Sequence, residues 1–340
     1  MRQINIHRRD LLVGAASTLA LPARIGRAHA QSPEIRIAHQ IGLSYLPILV
    51  MKARNLIEQE GRKQGLTLNP VFIQLANGSS VNEALISRNA DFGTVSLGPL
   101  LTLWERTRSS LKVKGVAAVD ASGLSLNTNQ PRIKSLRDFR DDDRIAMPDA
   151  GVSYQALMLQ MACEKEFGKG QAKRLDRLTV SMPHPEATNA LLGGRSEITA
   201  HFATAPFLFQ QLESGKIFRV LTSPEILGGP ATFINLVTSE AYRTQNRSAY
   251  RVVLGALTEA QTWIASHPED AARIYITSEN SNLTDEFVVR MLRDPLIRYA
   301  LTPENTQKIA DFSYRAGRVR TRVESWKELY FEDIHHLAGS

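Results

Sequence analysis

The sequence predicts an α/β protein of two lobes, each a mostly parallel sheet flanked by helices. Two observations carry this. The first is a unit between Val71 and Pro99 that reads as buried strand, capped helix, acid, second strand and new helix start. The second is its return 106 residues further on, where Ala190, Leu191 and Leu192 echo Ala84, Leu85 and Ile86, and Glu197 stands where Asp91 stood. A strand–helix–strand order implies parallel pairing with right-handed crossovers, and a doubled unit implies two sheets.

The length of 340 residues accommodates two domains, and a 43% hydrophobic, 22% charged composition is that of a globular chain. Residues 1–30 read as an export signal, with a basic start, an apolar stretch from Leu11 to Leu21 and a small-residue cleavage site ending at Ala30. Arg8 and Arg9 before Leu11 and Leu12 resemble a twin-arginine signal, with His7 and Leu11 departing from the usual residues. No second stretch is long enough to span a bilayer, so the mature chain is expected outside the cytoplasm. The formal charge of +7 is concentrated in that segment. Five basic residues and one acid fall within residues 1–30, leaving 36 basic against 33 acidic, or +3. This, with no basic run interleaved with aromatics, argues against nucleic acid. Cys163 is the only cysteine. It can form no intrachain disulfide, and its apolar helical surroundings favour packing.

Taken in order, Glu34 to His39 is the first strand, and Pro47 starts a helix to about Gln64. Val71 to Leu75 and Phe92 to Ser96 are the strands of the first unit, with Asn77, Ser79 and Ser80 as N-cap candidates between them. Leu111 to Val119 is a further strand, ended by the turn Asp120 to Gly123, where the first crossover between lobes is placed. Ser135 to Phe139 is a short amphipathic turn. Arg144 to Met147 is a strand, and Gly151 or Ser153 caps a helix to about Phe167. The segment Gly168 to Gly170 lacks phosphate-loop spacing. The second unit uses strands Leu178 to Met182 and Ile198 to Phe202 around a helix opened by Pro185, and Ala205 and Pro206 open the next helix. Ile217 to Leu221 is a strand, Thr222 to Pro230 the return crossover, and Phe233 to Val237 a strand rejoining the first lobe. Helices then cover about 249–265, 268–277, 285–293, 303–316 and 323–335. The expected division is a signal over 1–30, the first lobe over 31–120 and 223–340, and the second over 121–222.

No catalytic constellation is present: there is no Gly-x-Ser-x-Gly, no His-Glu-x-x-His and no Cys-His pair close in sequence. The informative pattern is small polar residues at strand-to-helix turns. Ser44, Asn77, Gly78, Ser79, Ser96, Gly98, Gly151 and Ser153 are of this kind. If the two lobes face each other, helix N-termini at these turns converge and bind an anion with neutral donors. Tyr45, Tyr154 and Phe202 lie in or beside the same turns and offer an apolar wall, while His184 and His201 offer hydrogen bonds.

With those residues in view, the chain resembles the substrate-binding proteins of nitrate/sulfonate/taurine importers (NMT1/THI5-like). The matching pieces include Gln40 to Pro47, Asn89 to Gly93 before the turn Ser96 to Pro99, Ile133 to Phe139 leading to Arg144, Glu186 to Gly194, and Ala260 to Ala271. The resemblance implies a type II periplasmic-binding-protein fold with two hinge crossovers and a monomer that needs no cofactor or metal. It implies closure on a small-molecule ligand and delivery to ABC permease subunits. Ligand contacts are expected at Gln40, Ser44, Tyr45, Asn77, Gly78, Ser79, Ser96, Gly98, Asp120, Gly151, Ser153, Tyr154, His184, His201 and Phe202. A pocket with two histidines and Tyr-bearing loops suits an organic anion, a sulfonate or a carboxylate, better than nitrate. Two other readings are an enzyme on the same fold, pyrimidine synthase-like or desulfinase-like, which the isolated Cys163 weakens, and a receptor-docking sensor.

Overall fold

The structure is a computed structural model that describes residues 34–340. The expected export signal, with its arginine pair and its cut after Ala30, lies outside the described residues.

Ten strands form two five-stranded sheets. Sheet A contains β1 (Glu34–His39), β2 (Asn69–Gln74), β3 (Phe92–Ser96), β4 (Lys114–Asp120) and β10 (Ile234–Thr238), in the order β2-β1-β3-β10-β4. Sheet B contains β5 (Ser125–Thr128), β6 (Ile145–Met147), β7 (Thr179–Ser181), β8 (Ala200–Ala203) and β9 (Phe218–Thr222), in the order β7-β6-β8-β5-β9. The two orders are the same pattern. In each sheet the first three strands are parallel, and the fourth, β10 or β5, is antiparallel to both neighbours. That antiparallel strand is the one that enters after the chain has crossed from the other sheet.

The helices are α1 (Leu46–Ala53), α2 (Leu56–Lys63), α3 (Gly78–Ile86), α4 (Leu97–Thr107), α5 (Tyr154–Phe167), α6 (His184–Gly193), α7 (Phe207–Glu213), α8 (Ser223–Leu227), α9 (Glu240–Gln245), α10 (Arg247–Ser266), α11 (Pro268–Glu279), α12 (Asp285–Leu292) and α13 (Thr306–Arg315). Their starts follow local chemistry. The Asn77 side chain accepts from Ser80 N at 2.9 Å, and the Ser153 hydroxyl accepts from Ala156 N at 3.2 Å, each satisfying an N–H that the helix itself leaves unpaired. The acid of the first unit, Asp91, accepts from Arg36 N at 2.9 Å and pairs with its guanidinium, pinning the β1–β3 edge.

Three expectations are corrected. The helix expected from Pro47 to Gln64 is two helices, because Asn55 takes the left-handed conformation at φ 52° and interrupts the ladder. The helix expected over about 323–335 is two short 3-10 turns, Trp326–Leu329 and Glu332–Ile334. Tyr330 between them is held beside β4, with Phe331 N donating to Gly115 O at 2.9 Å, which keeps the backbone extended there. Finally, β5 is a strand where the sequence predicts none. Ser125, Asn127 and Thr128 have the polarity of a loop, yet all are completely buried. They are tolerated because their side chains are paired: Thr128 Oγ1 donates to Thr199 O at 2.7 Å, and Asn127 Nδ2 donates to Gln211 Oε1 at 3.0 Å.

The two crossovers run side by side. Leu124 N donates to Ser223 Oγ and Ser223 N donates to Leu124 O, both at 2.9 Å, and Phe233 N donates to Asp120 O at 2.8 Å. A third segment braces them, with Gly123 N donating to Leu296 O at 2.7 Å. A Cβ on Gly123 would stand 2.7 Å from Leu296 Cδ2 and 3.2 Å from Pro224 Cδ, so a side chain there would force the Leu296 side chain to move.

Candidate functional site

The loops at the strand ends of the two sheets enclose a cavity of about 90 Å³. At the roughly 30 Å³ that a water takes in the liquid, this is the space of about three waters, the scale of a small ion or solute. Sheet A contributes Gln40, Ser44, Tyr45, Gly78 and Ser96, and sheet B contributes Asp149, Ser153, Gln155, His184 and Thr204. Phe233 and Ile234, on the return crossover and β10, form an apolar part of the wall. A backbone bond closes one side, with Leu43 N donating to Ala205 O at 3.3 Å.

Four helices begin at this cavity: α3 at Gly78, α4 after Ser96, α5 after Ser153 and α6 at His184. Their starts share one lining, so the positive ends of four helix dipoles lie at a common space. No Lys or Arg lines it among the described residues. The ionisable lining groups are Tyr45, Asp149 and His184. Burial raises the pKa of the Asp149 carboxyl from its ordinary value. Burial raises the Tyr45 phenol too, with the nearby Asp120 adding to the effect.

Of the residues expected at the site, Gln40, Ser44, Tyr45, Gly78, Ser96, Ser153 and His184 line the cavity. The others do not. Asn77 spends its side-chain oxygen on the α3 cap, Ser79 lies within the first turn of α3, and Gly98 faces the α5 start at Val152. Gly151 lies in the loop before α5. Tyr154 and Phe202 are core residues, Tyr154 packing on Phe233 with ring centroids 5.1 Å apart. Asp120 is completely buried beside Ser44, and burial pushes its pKa up to about 7. Its Oδ1 accepts from Ser122, while Oδ2 has no partner.

His201 stands behind the wall rather than in it. His184 Nδ1 meets His201 Nε2 at 2.8 Å, and His201 Nδ1 meets Gln211 Nε2 at 2.6 Å. On the cavity side, Gln155 Nε2 lies 3.2 Å from His184 Nε2. Inward, Gln211 Nε2 donates to Thr188 Oγ1 at 2.9 Å. The His184 ring stacks on Phe207 at 5.5 Å. Burial pushes the pKa of His184 down to about 4, and burial together with His184 holds His201 well below the ordinary range. Sequence reasoning missed Asp149, Gln155 and the inner residues Asn127, Thr188 and Gln211. Gln155 had a signal in its place two residues after the Ser153 cap. The inner three had none, since their meeting depends on strand register.

The described residues contain no cluster of three or more His, Cys, Asp or Glu suited to a metal, and no helix long and apolar enough to cross a membrane. The sequence profile of the NMT1-like family matches residues 28–277, the greater part of the chain. The chain belongs to the NMT1-like family. No curated protein matches it. Among solved structures, this NMT1-like chain is similar to the periplasmic aliphatic sulphonate binding protein SsuA of Escherichia coli, with 17% identity, a TM-score of 0.67 and coverage of 89% of this chain and 93% of that one. It is similar to the alkanesulfonate-binding protein SsuA of Xanthomonas axonopodis pv. citri bound to MOPS, with 18% identity, a TM-score of 0.67 and coverage of 86% and 97%. The periplasmic nitrate-binding protein NrtA of Synechocystis PCC 6803 matches at 14% identity and a TM-score of 0.66, over 88% and 84%. These likenesses establish the type II periplasmic-binding-protein fold.

Proposed function

We propose that the protein is the extracytoplasmic solute-binding component of an ABC importer and that it captures a small organic anion between its lobes. The observation that carries this is the enclosed cavity onto which four helix N-termini open with no Lys or Arg in its lining. In this reading the first lobe comprises residues 31–120 and 223–340, the second comprises 121–222, and the paired crossovers are the hinge. Export uses the twin-arginine type of signal in residues 1–30, and the mature monomer presents its solute to membrane permease subunits. The lining residues Gln40, Ser44, Gly78, Ser96, Ser153 and His184 contact the solute. The sulfonates bound by the two SsuA proteins make a sulfonate or carboxylate the leading class.

A non-catalytic role is supported by the state of the one thiol. Cys163 is buried in α5, and burial raises its pKa to about 12, the opposite of an activated nucleophile. The test is a thermal-shift screen against alkylsulfonates, aromatic carboxylates, pyrimidines and nitrate. A solute that binds the folded state alone raises the melting temperature. At least one sulfonate or carboxylate is expected to do so, and no response in any class would overturn the reading.

A further inference from the structure

The buried contacts behind His184 continue past Gln211 and end at a group that cannot reverse. Asn127 Nδ2 lies 3.4 Å from the Leu208 carbonyl oxygen, which can only accept. This fixes the orientation of the Asn127 amide. The same Nδ2 donates to Gln211 Oε1 at 3.0 Å, which fixes Gln211 with its Nε2 toward Thr188 and His201. His201 Nδ1 must then accept, so its proton sits on Nε2 and is donated to His184 Nδ1. The remaining proton of a neutral His184 is therefore on Nε2, facing the cavity.

Proton counting supports the same polarity. Two neutral imidazoles carry two N–H groups. If the amide nitrogens of Gln155 and Gln211 both donated to the outer ring nitrogens, only the shared inner position would be left for a proton. One glutamine must present oxygen. Gln211 is held at both ends, whereas Gln155 on the cavity wall is not. Turning the Gln155 amide places Oε1 on His184 Nε2–H and frees its NH2 group, with no change of volume. The reverse polarity would turn two amides and set Asn127 oxygen against Leu208 oxygen.

We infer that this relay locks His184 as an Nε2–H donor to Gln155 Oε1 and so turns the Gln155 NH2 group to the cavity, which makes the second lobe's wall selective for a solute group that accepts hydrogen bonds, from that NH2 or, by displacing Gln155, from His184 Nε2–H. His184 and Gln155 are the specificity-determining pair, and His201, Gln211 and Asn127 are positioning residues. The inference rests on the proposed solute-binding reading for its ligand and on the contacts above for its polarity.

The test is nitrogen-15 NMR of the histidine rings at pH 7, with His184 assigned by the signals lost in His184→Gln. A protonated Nε2 and bare Nδ1 is the expected pattern for His184, and a protonated Nδ1 or an imidazolium overturns the relay. In His201→Leu the His184 signals are expected to become a tautomer mixture. An unchanged single Nε2–H form would overturn the relay as its cause, and if that variant does not fold, the wild-type spectrum is decisive alone. Ethanesulfonate is the solute probe. It is expected to shift the His184 Nε2 signal, and His184→Phe is expected to weaken its binding by about tenfold or more, the loss of one hydrogen bond to a charged group. Binding that leaves the His184 signals and the His184→Phe affinity unchanged overturns the selectivity. Failure of every anion to bind overturns the proposed function instead, and the solute-free spectrum still decides the polarity.

Discussion

In sheet A the residue that pairs with Ala38 of β1 is Gly93 on the central strand β3, and across from Gly93 on the antiparallel strand is Val237. In sheet B the same positions are Ala146, His201 and Asn127. The helix that covers each strand also differs at its first residue, Gly78 in α3 and His184 in α6, and both of these line the cavity. Each imidazole of the second lobe thus stands where the first lobe has glycine. A Cβ on Gly93 would lie 2.7 Å from Val81 Cγ1 and 2.8 Å from Leu85 Cδ1, so α3 rests directly on β3 through apolar groups. In the second lobe that space is occupied by a hydrogen-bonded polar cluster. One framework therefore carries glycine at both matched positions in the first lobe and hydrogen-bonded imidazoles at both in the second.

The sharpest way to break this contrast is His201→Ala. It leaves a void and strips partners from buried His184 and Gln211, and should cost about 3 kcal/mol in denaturant unfolding. It should also alter the pH profile. The unfolded chain takes up protons below about 6.5, while His184 resists until about 4 and burial also holds His201 well below the ordinary range. Native stability therefore falls as pH drops from 6.5 towards 4, and the fall should be shallower in His201→Ala. The converse change in the first lobe, Gly93→Ala, should cost about 2 kcal/mol by forcing α3 away from the sheet. An equal tolerance of both substitutions would dissolve the contrast.

Asp120→Asn tests the first lobe's own buried charge. The folded carboxyl holds its proton until about pH 7, while the unfolded one ionises near 3.8. Its contribution is complete below 3.8 and is lost as pH rises through 7. Relative to wild type, the variant should gain stability as pH rises from 4 to 8, by up to about 4 kcal/mol. The smallest effect is at the second lobe's wall. Asp149→Asn removes a carboxylate from a cavity read as anion-binding and should tighten ethanesulfonate by about 1 kcal/mol, some fivefold, in calorimetric titration. Weaker binding would mean that the acid greets a positive group on the solute.

Periodicity and turn residues made nine of the ten strands and the doubled unit legible in the sequence, because apolar alternation and N-caps are local signals. β5 was not, since Ser125, Asn127 and Thr128 become acceptable in a core only once Gln211 and Thr199 arrive from 84 and 71 residues away. The site divided the same way. Ser44, Ser96 and Ser153 announced themselves as small polar residues at helix starts, and they line the cavity. Tyr154 and Phe202 had the same neighbourhood in sequence but the opposite side-chain direction, which local pattern does not encode.

The placement of β10 has a consequence for how the molecule is made. It lies between β3 and β4 and bonds to both, yet more than 100 residues separate it from β4. A chain emerging from the ribosome therefore holds two unpaired strand edges open while the whole second sheet is synthesised. The first half can be finished only after the second has been built, so a nascent chain halted short of Ile234 has no complete sheet A to fall back on.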